Sequence, residues 1–162
     1  IMKFDTATKN IIKPIIDTKY FQRLRHIKQL SFAEYAYPGA VHTRFNHCIG
    51  AAYLAQCVAS TLEFNQQDRI NAVVTALVHD IGHGPFSHGF EKLYGGGKKI
   101  KHELWNSKFI QALIDNQVNE DLKKYLIKAK YILETDESEI KDHAGKLLKQ
   151  IVSFQLDVDR FD

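Results

Sequence analysis

Sulfur and proline are scarce: the 162 residues include two cysteines, one methionine and three prolines. Two cysteines cannot build the disulfide framework that holds small secreted domains together, so the fold must rest on an ordinary apolar core. Cys48 and Cys57 fall on one expected helix, about 180° apart around its axis, and so cannot bridge each other. Both are expected to be reduced, buried small residues. No apolar run approaches the roughly 20 residues of a membrane span, and residues 1–15 lack the zones of a secretory signal, so a soluble cytoplasmic protein with no membrane partner is expected. Strong charge of one sign is missing too. A net charge of +3 and a pI near 8.8 do not favour nucleic acid as a partner, though they suit a protein that handles phosphorylated small molecules.

What remains is a globular composition, 44% hydrophobic and 25% charged, in a length that suits one domain over 1–162 with a real core. An isoleucine precedes Met2 and the chain stops at "QLDVDRFD" (155–162), so a segment of a longer protein is expected. Residues 2–16, with the polar "TATKN" stretch and Pro14, suggest a short hairpin or extended arm. From Asp17 or Thr18 onward, Phe21, Leu24, Ile27 and Leu30 recur at helical spacing. Pro38 and Gly39 break the chain, and Thr43 caps a second helix running to about Glu63. Asn65 opens a third, whose Ile70, Val73, Val74, Leu77, Val78 and Ile81 form an i, i+3, i+4 stripe that must end at Gly82–Pro85. A loop or short broken helix over 85–101 and helices near 103–115, 119–133 and 137–153 complete an all-α fold.

Chemistry gathers in "HDIGHGPFSH" (79–88). On the third helix, His79 and Asp80 lie away from the apolar stripe, on a face shared with Ala72 and Ala76. On the second, His47 shares its face with Gly50, Ala51, Leu54 and Ala55. Two faces of small residues can approach closely enough for His47, His79 and Asp80 to meet. Imidazole nitrogens plus a carboxylate suit Fe, Mn, Zn, Co or Ni better than Ca. A lone histidine is more often a hydrogen-bonded core residue, but a buried aspartate beside one, after an apolar run, needs a partner. An i, i+4 zinc pair of His79 and His83 on one helix conflicts with Gly82, Gly84 and Pro85. Those residues place His83 instead on a tight turn outside the metal, able to act as acid, base or phosphate donor.

Taken together, "IIDTKYFQRLRHIKQL" (15–30), "PGAVHTR" (38–44), "HTRFNHCIG" (42–50) and "LVHDIGHGPFSH" (77–88) resemble the HD-domain metal-dependent phosphohydrolases, specifically their deoxynucleoside triphosphate triphosphohydrolase (dNTPase) branch. The resemblance runs from about residue 11 to 103 and returns at 155–162. It implies an all-α HD-domain helical bundle in which His47, His79 and Asp80 are metal ligands, with Mg as an optional second ion. A fourth ligand, an aspartate, is expected beyond Asp162, with Asp157, Asp159 and Asp162 only leading up to it. The site would then be incomplete in this chain.

The same resemblance sets His83, His88 and His102 around the scissile phosphate, with Glu91 as acidic partner and Glu103 beside His102. It puts Arg44 on a phosphate and Gln29 with Leu30 against the sugar. Asp17, Gln22 and Arg25 fall where some members bind a regulatory GTP or dNTP at an oligomer interface, which implies a homo-oligomer, although such residues also make ordinary caps and ion pairs. The implied reaction splits a dNTP into deoxynucleoside and inorganic triphosphate. Rivals are another HD class (nucleotidase, cyclic-nucleotide or alarmone phosphodiesterase, oxygenase) and a non-catalytic nucleotide-binding or oligomer-forming module.

Overall fold

The structure, a computed structural model, describes residues 3–86, 102–117, 119–153 and 158–161. Eight helices are labelled in chain order: α1 (Thr6–Ile16), α2 (Lys19–Gln22), α3 (Arg44–Thr61), α4 (Gln66–Val78), α5 (His102–Asp115), α6 (Glu120–Glu134), α7 (His143–Val152) and α8 (Val158–Phe161). The fold is all-α, as expected. Among the described residues the only β-type pairing is an isolated antiparallel bridge between Lys28 and Thr43. No described helix is long and apolar enough to cross a membrane.

Short polar side chains start most of these helices. Thr43 accepts from the Asn46 amide, Asn65 from Asp68, Asn119 from Asp121 and Leu122, and Asp142 from Gly145. Each satisfies an amide that the first turn would otherwise leave unpaired, worth about 1 kcal/mol. α3 ends as Glu63 turns left-handed, with φ 54°.

α4 is the axis of the bundle, its residues Ile70–Val78 all buried. One side of it packs Val73, Val74, Leu77 and Val78 with Ile12, Ile15, Phe21 and Leu24 from the N-terminal segment, and with Ile110, Leu113 and Leu126 from α5 and α6. On the other side Ala72 and Ala76 meet Ala51, Ala55 and Ala59 of α3, and Leu148, Ile151 and Val158 close the cluster. These five alanines are fully buried, and α3 with α4 is the most extensive helix pair. The two small-residue faces expected to meet do so.

Four local expectations are corrected. Residues 6–16 form a helix rather than a hairpin, because Asp5 caps it through Thr8 and it buries Thr8, Ile12 and Ile15 on one face. The helix expected from 18 to Leu30 stops early: α2 tightens into a 3₁₀ turn over Arg23–His26, and Ile27 leaves it extended, its carbonyl accepting from the Arg44 amide at 2.8 Å. The helix expected at 137–153 is a 3₁₀ turn at Glu137–Glu139 followed by α7, which Asp142 starts afresh. Cys48 is buried, but Cys57 is exposed.

Candidate metal centre

α4 ends at Val78, and His79 occupies the C-cap position with helical backbone angles, so His79 and Asp80 continue its line into the core. Opposite, His47 lies one turn into α3, its amide bonded to the Thr43 carbonyl at 3.1 Å. The alanine-lined contact holds the two helices close, leaving the His47 and His79 ring centroids 5.3 Å apart. The expected trio therefore converges, and a fourth group joins it.

That fourth group is Asp159. Val158, buried in the alanine cluster, anchors α8 beside α3, and the next side chain turns inward. Its Oδ1 lies 2.8 Å from His47 Nε2 and 3.4 Å from His79 Nε2. Asp80 Oδ2 is 3.4 Å from His79 Nε2 and 3.5 Å from His47 Nε2. One donor atom from each of His47, His79, Asp80 and Asp159 lies within 4.8 Å of the other three. Asp159, expected only to lead up to a ligand beyond Asp162, stands among the described residues as a fourth donor of this cluster. The signal was available in "DVDR", but the helix contact that turns Asp159 inward is tertiary.

The donor set suits a divalent transition ion. His79 Nδ1 sits 2.6 Å from the Ala76 carbonyl; a carbonyl only accepts, so Nδ1 carries a proton and Nε2 is the atom left to coordinate. Two carboxylates and two imidazoles in a buried site match ions that take mixed N and O ligands.

Without an ion the groups compensate one another. Burial alone would lower the His79 imidazole, but Asp80 and Asp159 outweigh it and raise the pKa to about 9. For Asp80 burial pushes upward, yet the His79, His83 and Arg44 charges hold it well below the usual carboxylate range. Hydrogen bonds from His47 and then His79 lower Asp159 likewise.

The other expected residues are distributed as follows. Arg44, only 3% exposed, donates through Nη1 to Asp80 Oδ2 and so stands at the edge of the cluster. His83 is buried on the turn after the pair, its Nε2 3.2 Å from Asp80 Oδ1. Gln29 follows the Lys28–Thr43 bridge and its amide donates to the His42 carbonyl at 3.1 Å, while Leu30 beside it is exposed. Asp17 is the α1 C-cap. Gln22 donates to the Ile16 carbonyl at 2.8 Å and accepts from Arg25 Nε at 2.7 Å. The Arg25 guanidinium lies 3.6 Å over the Phe45 ring. These three have local roles on the N-terminal side of the bundle. His102 begins α5. His88, Glu91, Asp157 and Asp162 lie outside the described residues.

Two side chains that sequence reasoning passes over grip the turn that carries His83. Arg23 reaches from the 3₁₀ turn to the Ile81 and His83 carbonyls at 2.5 and 2.8 Å, its guanidinium 4.4 Å over the Phe109 ring. Asn106 of α5 holds the same turn from the other side, bonding the His79 carbonyl and the Gly82 amide. A cavity of ≈ 660 Å³ opens beside the cluster, lined by His79, Asp80, Asp159, Asn106, Leu104 and Lys149 among others.

The HD domain family model matches residues 44–162. Chicken deoxynucleoside triphosphate triphosphohydrolase SAMHD1 is 39% identical over 143 residues, covering 81% of this chain and 23% of that protein. The uncharacterized MG461 homolog of Mycoplasma pneumoniae is 34% identical over 98% of this chain and 39% of its own length. YwfO of Bacillus subtilis, also uncharacterized, is 34% identical over 94% of this chain and 34% of its own length. The chain thus spans between a quarter and two fifths, roughly, of these relatives. A family match over most of the chain, on the segment that carries His47, His79, Asp80 and Asp159, places this chain in the HD-domain family.

Proposed function

We propose that this chain is the core of a metal-dependent phosphohydrolase acting on nucleotides, and that its substrates are dNTPs, split to deoxynucleoside and inorganic triphosphate. The observation that carries the reading is the convergence of His47, His79, Asp80 and Asp159 within 4.8 Å of one another. The dNTP assignment is supported by relatives named deoxynucleoside triphosphate triphosphohydrolases, near 40% identical over the shared region. On the same likeness, the assembled protein is a homo-oligomer, and Asp17, Gln22 and Arg25 contribute to a site for a GTP or dNTP effector.

His47, His79, Asp80 and Asp159 would hold a divalent transition ion, which would make a bound water far more acidic and so supply hydroxide at neutral pH. Hydroxide adds to the α-phosphorus in line with the 5′-oxygen, the P–O5′ bond breaks, and the departing oxygen must gain a proton. Arg44, already drawn to the cluster by Asp80, offsets phosphate charge. His83 or His88 supplies the proton, with His102 and Glu91 keeping it available. Gln29 and Leu30 bound the sugar.

His83→Ala and His88→Ala are expected to keep metal stoichiometry while lowering kcat about 10²- to 10⁴-fold. Metal analysis and chromatography of products, using the whole protein with each of the four dNTPs, with and without GTP, in Mn or Mg, check this. Triphosphate release supports the reading; monophosphate release from dNTPs assigns the site to another phosphohydrolase class. Unaltered turnover in both variants removes these histidines from proton transfer.

A further inference from the structure

The turn after Val78 poses a physical problem. A helix leaves its last carbonyls without intrahelical donors, and a carbonyl buried without a partner is costly. Here the end of α4 lies in the core, with His79, Asp80 and His83 all buried, so water cannot serve every group. Asn106, itself 7% exposed, answers with one amide: its Nδ2 donates to the His79 carbonyl and its Oδ1 accepts from the Gly82 N–H at 2.5 Å. Both ends of the four-residue turn close on a single side chain. The approach of α5 is so close that a Cβ on Gly82 would collide with the Asn106 backbone nitrogen. Gly82 is therefore needed for space, and Gly82→Ala is expected to displace α5 or the turn, read as a lowered melting temperature.

We propose that Asn106 is a positioning residue for the metal cluster, fixing the backbone that sets the His79 imidazole and the Asp80 carboxylate at their mutual angle. The proposal rests on the reading of His47, His79, Asp80 and Asp159 as ligands, and Asn106 itself supplies no ligand atom. A primary amide carries its donor and its acceptor on two separate atoms of one short branch, so Asn106 can bond the His79 carbonyl and the Gly82 N–H at once. Aspartate keeps the acceptor for the Gly82 N–H and loses the donor to the His79 carbonyl; leucine fills similar volume and offers neither. An asparagine in mid-helix carries no sequence signal of such a role.

Cobalt(II) titration of the whole protein, followed by ligand-field absorption, tests this with a readout independent of turnover. Asn106→Leu is expected to bind cobalt about 10- to 100-fold more weakly than wild type, with a shifted absorption band. Asn106→Asp is expected to weaken binding as well, although an added negative charge near the ion would by itself strengthen it. That sign separates positioning from electrostatics, and a shifted band in the folded fraction separates it from mere loss of stability. If the leucine variant does not fold, the aspartate variant decides alone. Wild-type affinity and an unchanged band in a folded variant overturn the proposal. A wild-type protein that takes up no cobalt overturns the ligand reading beneath it, whatever the variants do.

Discussion

Alanine at His79 or Asp80 is expected to abolish divalent-metal binding and to lower hydrolysis at least about a thousandfold, a loss of about 4 kcal/mol of transition-state stabilisation. Each residue supplies one of four donors within 4.8 Å of one another, and the remaining three cannot rearrange on helices packed through buried alanines. The two variants differ in what they do to the metal-free fold. Without Asp80, the buried Arg44 loses the carboxylate it is paired with, and breaking a buried pair from one side costs about 3–5 kcal/mol. Asp80→Asn also removes the charge but keeps the volume and a carbonyl oxygen that can accept from Arg44, so it disturbs the metal-free fold less than Asp80→Ala. Asp159 offers the cleanest probe, because its side chain is 43% exposed and its loss leaves the core intact. Asp159→Ala is expected to weaken metal binding while the fold persists. Metal stoichiometry and affinity, measured by elemental analysis and calorimetry, check all three; unchanged stoichiometry in Asp80→Asn and His79→Ala would falsify the ligand assignment.

Much of the helical frame is legible because helix starts depend on local chemistry. Thr43, Asn65 and Asn119 cap where a short polar side chain can reach an amide two or three residues on, and α3, α4 and α6 begin there. The failures are also physical. Pro14 reads as a breaker, but it lies in the last turn of α1, where its missing N–H deprives only the Asn10 carbonyl. Both residues are on the exposed face, so water serves that carbonyl. Phe21, Leu24 and Ile27 recur every third residue, a spacing shared by α and 3₁₀ turns. What decides is Arg23, which must leave the helix line to reach the Ile81 and His83 carbonyls. At 137–153 Asp136 precedes the 3₁₀ turn without a side-chain cap bond, and α7 starts from Asp142, which caps through Gly145, with Ile140 buried just before it.

The centre divides along the same line. His47, His79 and Asp80 are legible because small residues at helical spacing, Ala51, Ala55, Ala72 and Ala76, announce a close helix contact through their periodicity alone. Asp159 is visible as an acidic group, but its inward turn depends on Val158 entering an alanine cluster built from α3 and α4, far back along the chain. Asn106 has no sequence signal apart from Gly82, whose purpose becomes evident only when α5 is seen against it. Candidate donors that sit on periodic elements can be read, whereas those brought in by distant packing cannot.

The metal-free protein is expected to lose stability as pH rises from neutrality, and bound metal is expected to abolish that loss. The cause is His79: burial opposes its charge, but Asp80 and Asp159 raise its pKa to about 9, against a reference of 6.5. A raised value means that the folded state holds the proton more tightly than the unfolded chain does. Its contribution is therefore fully present below about pH 6.5 and disappears as pH climbs through about 9. Between about pH 6 and 8.5 the loss amounts to about 2 kcal/mol, which lowers the melting temperature by about 4–8 °C. Asp80 and Asp159 act in the opposite sense: both are held below the usual carboxylate range, so their contribution is lost on acidification. Stability in chelator should consequently peak on the mildly acidic side of neutrality. An ion bound at Nε2 requires the neutral ring, so it must expel this proton, and its affinity should rise about tenfold per pH unit up to about pH 9. Melting curves in chelator and in saturating Mn(II), with calorimetry in buffers of different ionisation enthalpy to count the released proton, test both halves. His79→Gln should flatten the slope in chelator. A wild-type profile already flat there would mean that His79 carries no extra proton, and the ion-pair account of the empty centre would have to be abandoned.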